Sequence, residues 1–152
     1  MCNTSGVSGG PEDIARRGAA AMWAGDAASQ GLGIEVSAVS PGHATARMTV
    51  TAAMVNGHAI AHGGYVFLLA DTAFAFACNT YGQVTVARSA DITFVAAARQ
   101  GDVLEAVAQE RHRAGRNGIY DVTVRRASGG PEDTVVAEFR GHSRETSSRL
   151  VE

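Results

Sequence analysis

The sequence predicts an α+β domain in which an antiparallel β-sheet encloses one long buried helix, with a further helix at the N-terminus. Three observations predict this arrangement. Residues 63–78 form a nearly unbroken apolar run of helical length, the segments before and after it alternate between apolar and polar residues, and residues 11–29 begin with a helix-start pattern. A chain of 152 residues is long enough for one core and too short for two ordinary domains.

The N-terminal helix is predicted from Pro11 to about Ser29. Proline is well suited to the first helical position, and carboxylates such as Glu12 and Asp13 favour the positive end of the helix dipole. Residues 1–10 are rich in Gly and Ser and are predicted to be a disordered tail. We therefore expect a single domain over residues 11–145, followed by a C-terminal tail over residues 146–152.

The strands are predicted from alternating apolar positions. Apolar residues alternate from Ile34 to Ala38 and from Ala44 to Val50, and Pro41-Gly42 between them forms a turn, so this segment predicts a β-hairpin. Glycine, asparagine and aspartate separate the remaining alternating segments, as expected of turns. Four further strands are predicted, at residues 84–95, 103–112, 118–126 and 134–143.

The central helix is predicted over residues 63–78, about 24 Å at 1.5 Å per residue. Its apolar side chains cover every side, so we expect it to be buried on all faces, with polar residues only at Asp71 and Thr72. An unpaired buried carboxylate is costly, so Asp71 is a candidate functional residue. The alternative is that Asp71 caps a neighbouring loop or pairs with an arginine.

Four short motifs lie in and before this helix. In their order and spacing they resemble the signature of the PaaI-type hotdog thioesterases, which hydrolyse phenylacetyl-CoA and its hydroxylated relatives. The resemblance extends from about Ala21 to Ser143. The motifs are Asn56-Gly57-His58, His62-Gly63-Gly64, Leu69-Ala70-Asp71-Thr72-Ala73 and Ala77-Cys78-Asn79.

This resemblance implies a hotdog fold and an acyl-CoA thioesterase that acts on aryl- or arylacetyl-CoA. It implies an obligate homodimer with shared sites, often doubled into a tetramer. Asp71 is then either the base that activates water or the nucleophile that attacks the thioester, and the sequence leaves both open. An apolar helix with Tyr65 near its start favours ring-bearing or medium acyl groups.

The start of the helix supplies the other candidate catalytic residues. The first amides of a helix are unpaired, so the Gly63 amide suits a developing oxyanion, and a glycine there permits close substrate approach. The alternative is that Gly63-Gly64 makes a tight entry into the helix, and both can be true together. His62 and Asn56 are expected to orient the thioester or the water. The alternatives are a helix cap for His62 and an Asx turn for Asn56. Thr72 either holds the water or bonds back to its own helix.

The spacing of Gly63 and Asp71 predicts a composite site. Eight residues of helix separate them by about 12 Å, so one helix cannot present both to one carbonyl. Two antiparallel helices related by a two-fold axis would bring Asp71 of one subunit to Gly63 of the other.

Basic residues near the later strands are candidates for binding the phosphates of coenzyme A. The best patch is the turn from Arg111 to Asn117, although surface arginines are more often simply solvated. The predicted substrate-binding residues are Gly64, Arg88, Arg111, Arg113, Arg116 and Asn117.

The sequence predicts no cofactor, because coenzyme A is part of the substrate, and no metal site. His43, His112 and His142 show no ligand spacing with cysteine or aspartate. A net charge of −2 and the lack of a basic motif argue against nucleic acid. No apolar stretch reaches the length of a membrane span, and no signal sequence is recognised, so a cytoplasmic enzyme is expected.

Two other classes fit the same fold. A dehydratase or hydratase of acyl thioesters would need a histidine and a carboxylate around the α and β carbons of the acyl group. A non-catalytic acyl-CoA-binding module would keep the pocket and show no turnover.

Overall fold

One long helix lies across a six-stranded antiparallel sheet in the computed structural model, which describes residues 9–127 and 134–152. The strand order is β1-β2-β4-β5-β6-β3, which confirms the α+β prediction. The helices are α1 (Pro11–Gly25), α2 (Ala27–Gly31) and α3 (Gly63–Cys78), with a 3-10 turn at Ala52–Met54. The strands are β1 (Glu35–Ser40), β2 (His43–Thr49), β3 (Gln83–Phe94), β4 (Val103–Ala114), β5 (Asn117–Arg126) and β6 (Thr134–Arg149).

Helix α3 has the predicted bounds and packs on the inner face of the sheet, mainly against β2, β4 and β5. Its central aromatic residue, Phe74, contacts the rings of Tyr120 and Phe139, with centroid distances of 5.6 Å and 5.8 Å. A Cβ atom at Gly141 would lie 2.8 Å from the Phe74 ring, so glycine is needed for this ring to reach β6. Truncating a buried phenylalanine of this kind costs about 3–5 kcal/mol.

The prediction that α3 is buried on all faces is wrong for the single chain. A stripe along one side of the helix stays open: Gly64 is exposed, and Leu68, Asp71 and Ala75 are half-buried. These positions recur at intervals of three and four residues and therefore share one face. The sheet covers the opposite side of α3 and leaves this stripe, which we call the open stripe, without a covering layer from the described residues.

The N-terminal helix is interrupted, where one continuous helix to Ser29 was predicted. Asp26 ends α1 and caps α2, because its Oδ1 accepts a hydrogen bond of 3.0 Å from the Ser29 amide. Helix α1 lies close to the end of α3, where a Cβ at Gly18 would be 3.0 Å from the Asn79 carbonyl oxygen. Trp23 is half-buried and packs against Phe76.

Two strands are longer than predicted. β4 continues to Ala114, so only Gly115, with φ of +56°, and Arg116 connect it to β5. β6 continues to Arg149, so the predicted C-terminal tail is wrong for residues 146–149, because this end of β6 pairs with the start of β3. The predicted connection at residues 128–133 and residues 1–8 of the predicted tail lie outside the described residues.

Strand β3 forms one edge of the sheet and is exposed along most of its 12 residues. The large exposed apolar side chains lie on this strand or directly after it: Val86, Phe94 and Val95 are 49%, 53% and 59% exposed. Within the described ranges, no helix is long and apolar enough to cross a membrane. The same ranges contain no group of three or more His, Cys, Asp or Glu side chains that could hold a metal ion.

Candidate active site

His62 organises the start of α3. Its Nδ1 accepts a hydrogen bond of 2.9 Å from the Gly64 amide, and its carbonyl oxygen accepts one of 3.0 Å from the Tyr65 amide. The Gly63 amide has no acceptor among residues 9–127 and 134–152. The histidine cap therefore occupies its neighbours and leaves the Gly63 N–H free at the positive end of the helix.

Asn56 closes the loop that precedes the helix. Its Oδ1 accepts hydrogen bonds from the amides of His58 at 2.9 Å and Ile60 at 3.4 Å, which form an Asx turn. Because these two amides fix Oδ1 as the acceptor, the other side-chain atom is the Nδ2 donor. No acceptor for Nδ2 is found in the described part of the chain, so the structural role of Asn56 leaves a donor available.

Asn56 and Gly63 line the same cleft, which has a volume of about 420 Å³. Phe94 covers Gly63 so closely that a Cβ there would lie 2.8 Å from the Phe94 ring. The sequence did not single out Phe94, since its relation to Gly63 depends on the pairing of β3 in the sheet. The rest of the wall is apolar and is formed by Ile60, Ala61, Val66, Val95, Ala96, Ala97, Ala98 and Val136.

A second cleft, of about 480 Å³, lies on the other side of the helix start. His62 and Gly64 form its polar rim, and Tyr65 and Leu68 belong to its apolar wall. The His62 side chain is exposed, and its Nδ1 is used for the helix cap, which was the alternative to an orienting role. Gly63 lines the first cleft, and its neighbours His62 and Gly64 line the second.

Asp71 lies two helical turns beyond Gly63 on the open stripe. Burial raises the pKa of its carboxyl group above the ordinary value. Neither a hydrogen bond nor an ion pair to this carboxylate occurs among the described residues, so neither the loop cap nor the arginine pair considered as alternatives is found there. Asp71 lines neither cleft at the helix start. A single chain therefore does not bring Asp71 to the Gly63 amide.

Thr72 points away from this stripe. Its Oγ1 lies 3.0 Å from the Ser29 hydroxyl of α2, and only 8% of the residue is exposed. This contact differs from both roles expected for Thr72, and it joins α2 to α3. Ser29 was not predicted as its partner because the two residues are 43 positions apart.

The arginines of the predicted coenzyme patch do not act together. Arg111 pairs with Asp121 at 3.4 Å, and Arg113 pairs with Glu145 at 3.5 Å while it stacks on a tyrosine ring. Arg116 donates from Nε to the Glu145 carbonyl oxygen at 3.0 Å. Carboxylates thus engage two of these cations on the protein itself.

Arg88 and Asn117 are brought together by the fold. Arg88 donates from Nη1 to Asn117 Oδ1 at 3.2 Å, and both residues line a cleft of about 240 Å³ on the sheet. No carboxylate within the described residues pairs with Arg88. Of the residues predicted to bind the phosphates of coenzyme A, Arg88 and Asn117 are hydrogen-bonded to each other.

The fold, with its free helix-start amide and unpaired carboxylate, matches a hotdog acyl-thioester hydrolase. The model of the thioesterase superfamily matches residues 58–132. The chain belongs to this superfamily, and within it to the PaaI-type acyl-CoA thioesterases. The predicted family, fold and enzyme class are confirmed.

The similar proteins cover most of the chain. The acyl-coenzyme A thioesterase PaaI of Escherichia coli (strain K12) is 44% identical over 123 residues, or 81% of this chain and 85% of that protein. The structure of the E. coli PaaI protein from the phenylacetic acid degradation operon aligns with a TM-score of 0.87 at 40% identity, over 92% of this chain and 99% of that chain. A putative esterase from Deinococcus radiodurans is 42% identical over 111 residues, covering 72% and 73% of the two proteins.

Proposed function

We propose that this enzyme hydrolyses aryl- or arylacetyl-CoA thioesters, of the phenylacetyl-CoA or hydroxyphenylacetyl-CoA type, to the free acid and coenzyme A. One observation carries the proposal: the free Gly63 amide shares a cleft with Asn56, while Asp71 stands unpaired on the same helix and out of reach. The E. coli protein of the phenylacetic acid degradation operon supports the acyl class. Coenzyme A enters as part of the substrate, so the proposed reaction needs no separate cofactor.

In this proposal, the Gly63 N–H binds the thioester carbonyl oxygen. Negative charge develops on that oxygen as the carbonyl carbon is attacked, and a backbone amide at a helix start stabilises it without having to reorganise. Asn56 lines the same cleft, and its Nδ2 donor would orient the thioester or the water. His62 has a positioning role. It accepts hydrogen bonds from the amides of Gly64 and Tyr65 and leaves the Gly63 N–H available to the substrate.

Asp71 supplies the charge that drives the attack. As a base, Asp71 takes a proton from water while the water oxygen bonds to the carbonyl carbon. The C–S bond then breaks, and the coenzyme A thiolate leaves and is protonated. As a nucleophile, its carboxylate displaces the thiolate and forms a mixed anhydride that water cleaves. Both routes need the ionised carboxylate, and both fit an Asp71 that pairs with no cation in the described part of the chain.

We propose that each site contains Asp71 of one subunit and the Asn56, His62 and Gly63 segment of the other. The roughly 12 Å along α3 prevents one chain from completing the site. The open stripe, which holds Asp71, would face the partner across a two-fold axis. This arrangement gives a homodimer with two sites, and two such dimers would form the predicted tetramer.

The exposed edge of the sheet supports this dimer. β3 leaves one side of its backbone without a ladder partner in the described chain, and a long exposed edge strand is a template for pairing. Antiparallel pairing of β3 with β3 of a second copy satisfies these groups and places Val86 and Phe94 near the junction. A two-fold interface uses the same surface on both subunits, as this pairing does.

The test of the catalytic assignment is Asp71→Asn, with Glu35→Gln as the control on exposed β1, at the opposite edge of the sheet from β3. The amide is isosteric but is neither a base nor an anion, so kcat should fall by about 100-fold or more while the dimer and substrate binding are retained. Glu35→Gln should keep the wild-type kcat. More than about a tenth of the wild-type kcat in the Asp71 variant would rule out the assigned role.

The test of the acyl class is release of free thiol from a series of CoA esters. The apolar walls of the two clefts, with Tyr65 and Leu68 in one of them, favour a ring or a medium chain. Phenylacetyl-CoA should therefore have a higher kcat/KM than palmitoyl-CoA. The reverse order would show that the substrate class is wrong, even if Asp71 is catalytic.

A further inference from the structure

A polar cleft lies on the outer face of the sheet, opposite the face that carries α3. Three residues of neighbouring strands stand side by side there: Ile119 of β5 is paired with His112 of β4 on one side and with His142 of β6 on the other. Both histidines line the cleft of about 240 Å³ that also holds Arg88 and Asn117, and we call it the histidine cleft. The fold thus brings together two histidines that lie 30 positions apart in sequence.

A bulge directs Arg88 into this cleft. The pairing of β3 with β6 shifts register between Ala87 and Ser89, so Arg88 has no partner residue in the ladder. Bulges re-aim side chains, and here the guanidinium donates to Asn117 Oδ1 at 3.2 Å. Since that oxygen accepts from Arg88, the Nδ2 of Asn117 remains as a second donor.

The histidine cleft carries a net positive charge, because the nearby carboxylates pair with arginines other than Arg88. Asp121, the nearest carboxylate on β5, receives two hydrogen bonds from Arg140, at 2.6 Å and 2.9 Å, and an ion pair from Arg111. These contacts, the hydrogen bond from Arg140 foremost, lower the pKa of Asp121. Arg113 is likewise neutralised by Glu145. Next to these groups, Asp91 lies opposite Arg140, and Arg144 lies opposite Asn117.

We propose that the histidine cleft binds a phosphate group, with Arg88 as its cation and His112 and His142 as further hydrogen-bond donors. The planar guanidinium of Arg88, together with donors from neighbouring strands, matches the oxygens of a phosphate. The phosphate comes either from the 3′-phosphate of coenzyme A, which rests on the proposed function, or from free inorganic phosphate.

The first experiment measures binding of inorganic phosphate to the whole protein by calorimetry at constant pH and ionic strength. Wild type should bind phosphate. Arg88→Ala should weaken binding about tenfold, and the double variant His112→Ala with His142→Ala should also weaken it. Arg125→Ala, on exposed β5 away from the cleft, should bind as wild type does. No binding, or equal binding by all variants, overturns the proposal.

The second experiment identifies the source of the phosphate. KM is measured for phenylacetyl-CoA, for the same ester lacking the 3′-phosphate, and for phenylacetyl-pantetheine. If the 3′-phosphate occupies the cleft, Arg88→Ala raises KM about tenfold for the first substrate alone and leaves kcat unchanged. Equal wild-type KM values for the first two substrates, with phosphate bound in the first experiment, assign the cleft to free phosphate. If none of the three esters is hydrolysed, the proposed function is contradicted. The phosphate binding measured in the first experiment does not depend on that result.

Discussion

The partial burial of Asp71 lowers the free energy of unfolding at neutral pH. The half-buried carboxylate has a raised pKa, so the folded protein binds the Asp71 proton more tightly than the unfolded chain does. The free energy of unfolding therefore loses a contribution as the pH rises through the ordinary value of 3.8 and then through the raised pKa. At neutral pH the ionised form destabilises the fold, which is typical of a residue kept for function.

Replacement of Asp71 by asparagine should therefore stabilise the protein at pH 7. The expected gain is on the order of 1 kcal/mol, because the variant no longer holds a charge without a partner. The gain should shrink as the pH falls through the raised pKa towards 3.8, because the folded wild-type protein then takes up the proton and loses the unfavourable charge. Urea unfolding of both proteins from pH 7 to pH 4 measures this difference. A variant less stable than wild type at pH 7 would indicate that Asp71 has a stabilising partner.

His62 permits a second test, which separates its cap from any chemical role. His62→Ala removes the acceptor for the Gly64 amide and should cost about 1 kcal/mol of unfolding free energy. His62→Asn offers a side-chain oxygen as a replacement cap and should recover most of that loss. If His62 acts only as the cap, kcat recovers together with stability. A stable His62→Asn variant with a large loss of kcat would show that the imidazole itself takes part in the reaction.

Residue types and spacing were sufficient to single out Asp71 and Gly63 as candidates, because a carboxylate in an apolar helix and a glycine at its start are unusual in themselves. Asn56 was singled out with them by the family resemblance, and the catalytic roles of all three stay predictions. Residue types and spacing did not predict the contacts of Arg111 and Arg113. Those arginines pair with acidic residues of other strands, and such pairings depend on sheet register rather than on local sequence.

Helix α3 was predictable to the residue because its apolar run is bounded by His62-Gly63 and by Asn79, which begin and end it. The break between α1 and α2 was not, since Asp26 is compatible with a helix interior until its side chain is seen to cap Ser29. The end of β6 was missed because its last residues are polar. These residues pair with β3, but they are largely exposed and do not pack on the hydrophobic core. They therefore lack the alternation of apolar and polar residues by which a strand is predicted.

The hydroxyl pair of Ser29 and Thr72 connects α2 to α3, and it predicts a pattern among three variants. Thr72→Val should destabilise the fold by about 1–3 kcal/mol, because it leaves the Ser29 hydroxyl buried without its partner. Adding Ser29→Ala should restore much of that loss. Because Thr72 points away from the open stripe, kcat should change little in either variant. Denaturant unfolding and steady-state kinetics measure both effects, and a 100-fold loss of kcat in a folded Thr72→Val would place Thr72 in the reaction.

The chain as a whole presents two incomplete surfaces. Among residues 9–127 and 134–152, the edge of β3 has no strand partner, and the Asp71 carboxylate on the open stripe of α3 has no hydrogen bond or ion pair. One two-fold dimer would complete both at once, since pairing along β3 can bring the two α3 helices together across the axis. The central claim is therefore that each active site is shared between subunits.

The most direct measurement of that claim mixes two inactive variants. Asp71→Asn removes the carboxylate. Asn56→Asp keeps the Oδ1 acceptor of the Asx turn and removes the Nδ2 donor, so the loop is retained. Each variant is first shown to be inactive and dimeric, and the two are then unfolded and refolded together in equal amounts.

Random mixing makes about half of the dimers mixed, and a shared site leaves each mixed dimer with one site carrying both defects and one site intact. The account predicts that the mixture recovers about a quarter of wild-type activity. A mixture that stays inactive, after subunit exchange has been demonstrated by mass spectrometry of differently tagged chains, would contradict the shared site and confine Asp71 and Asn56 to one subunit.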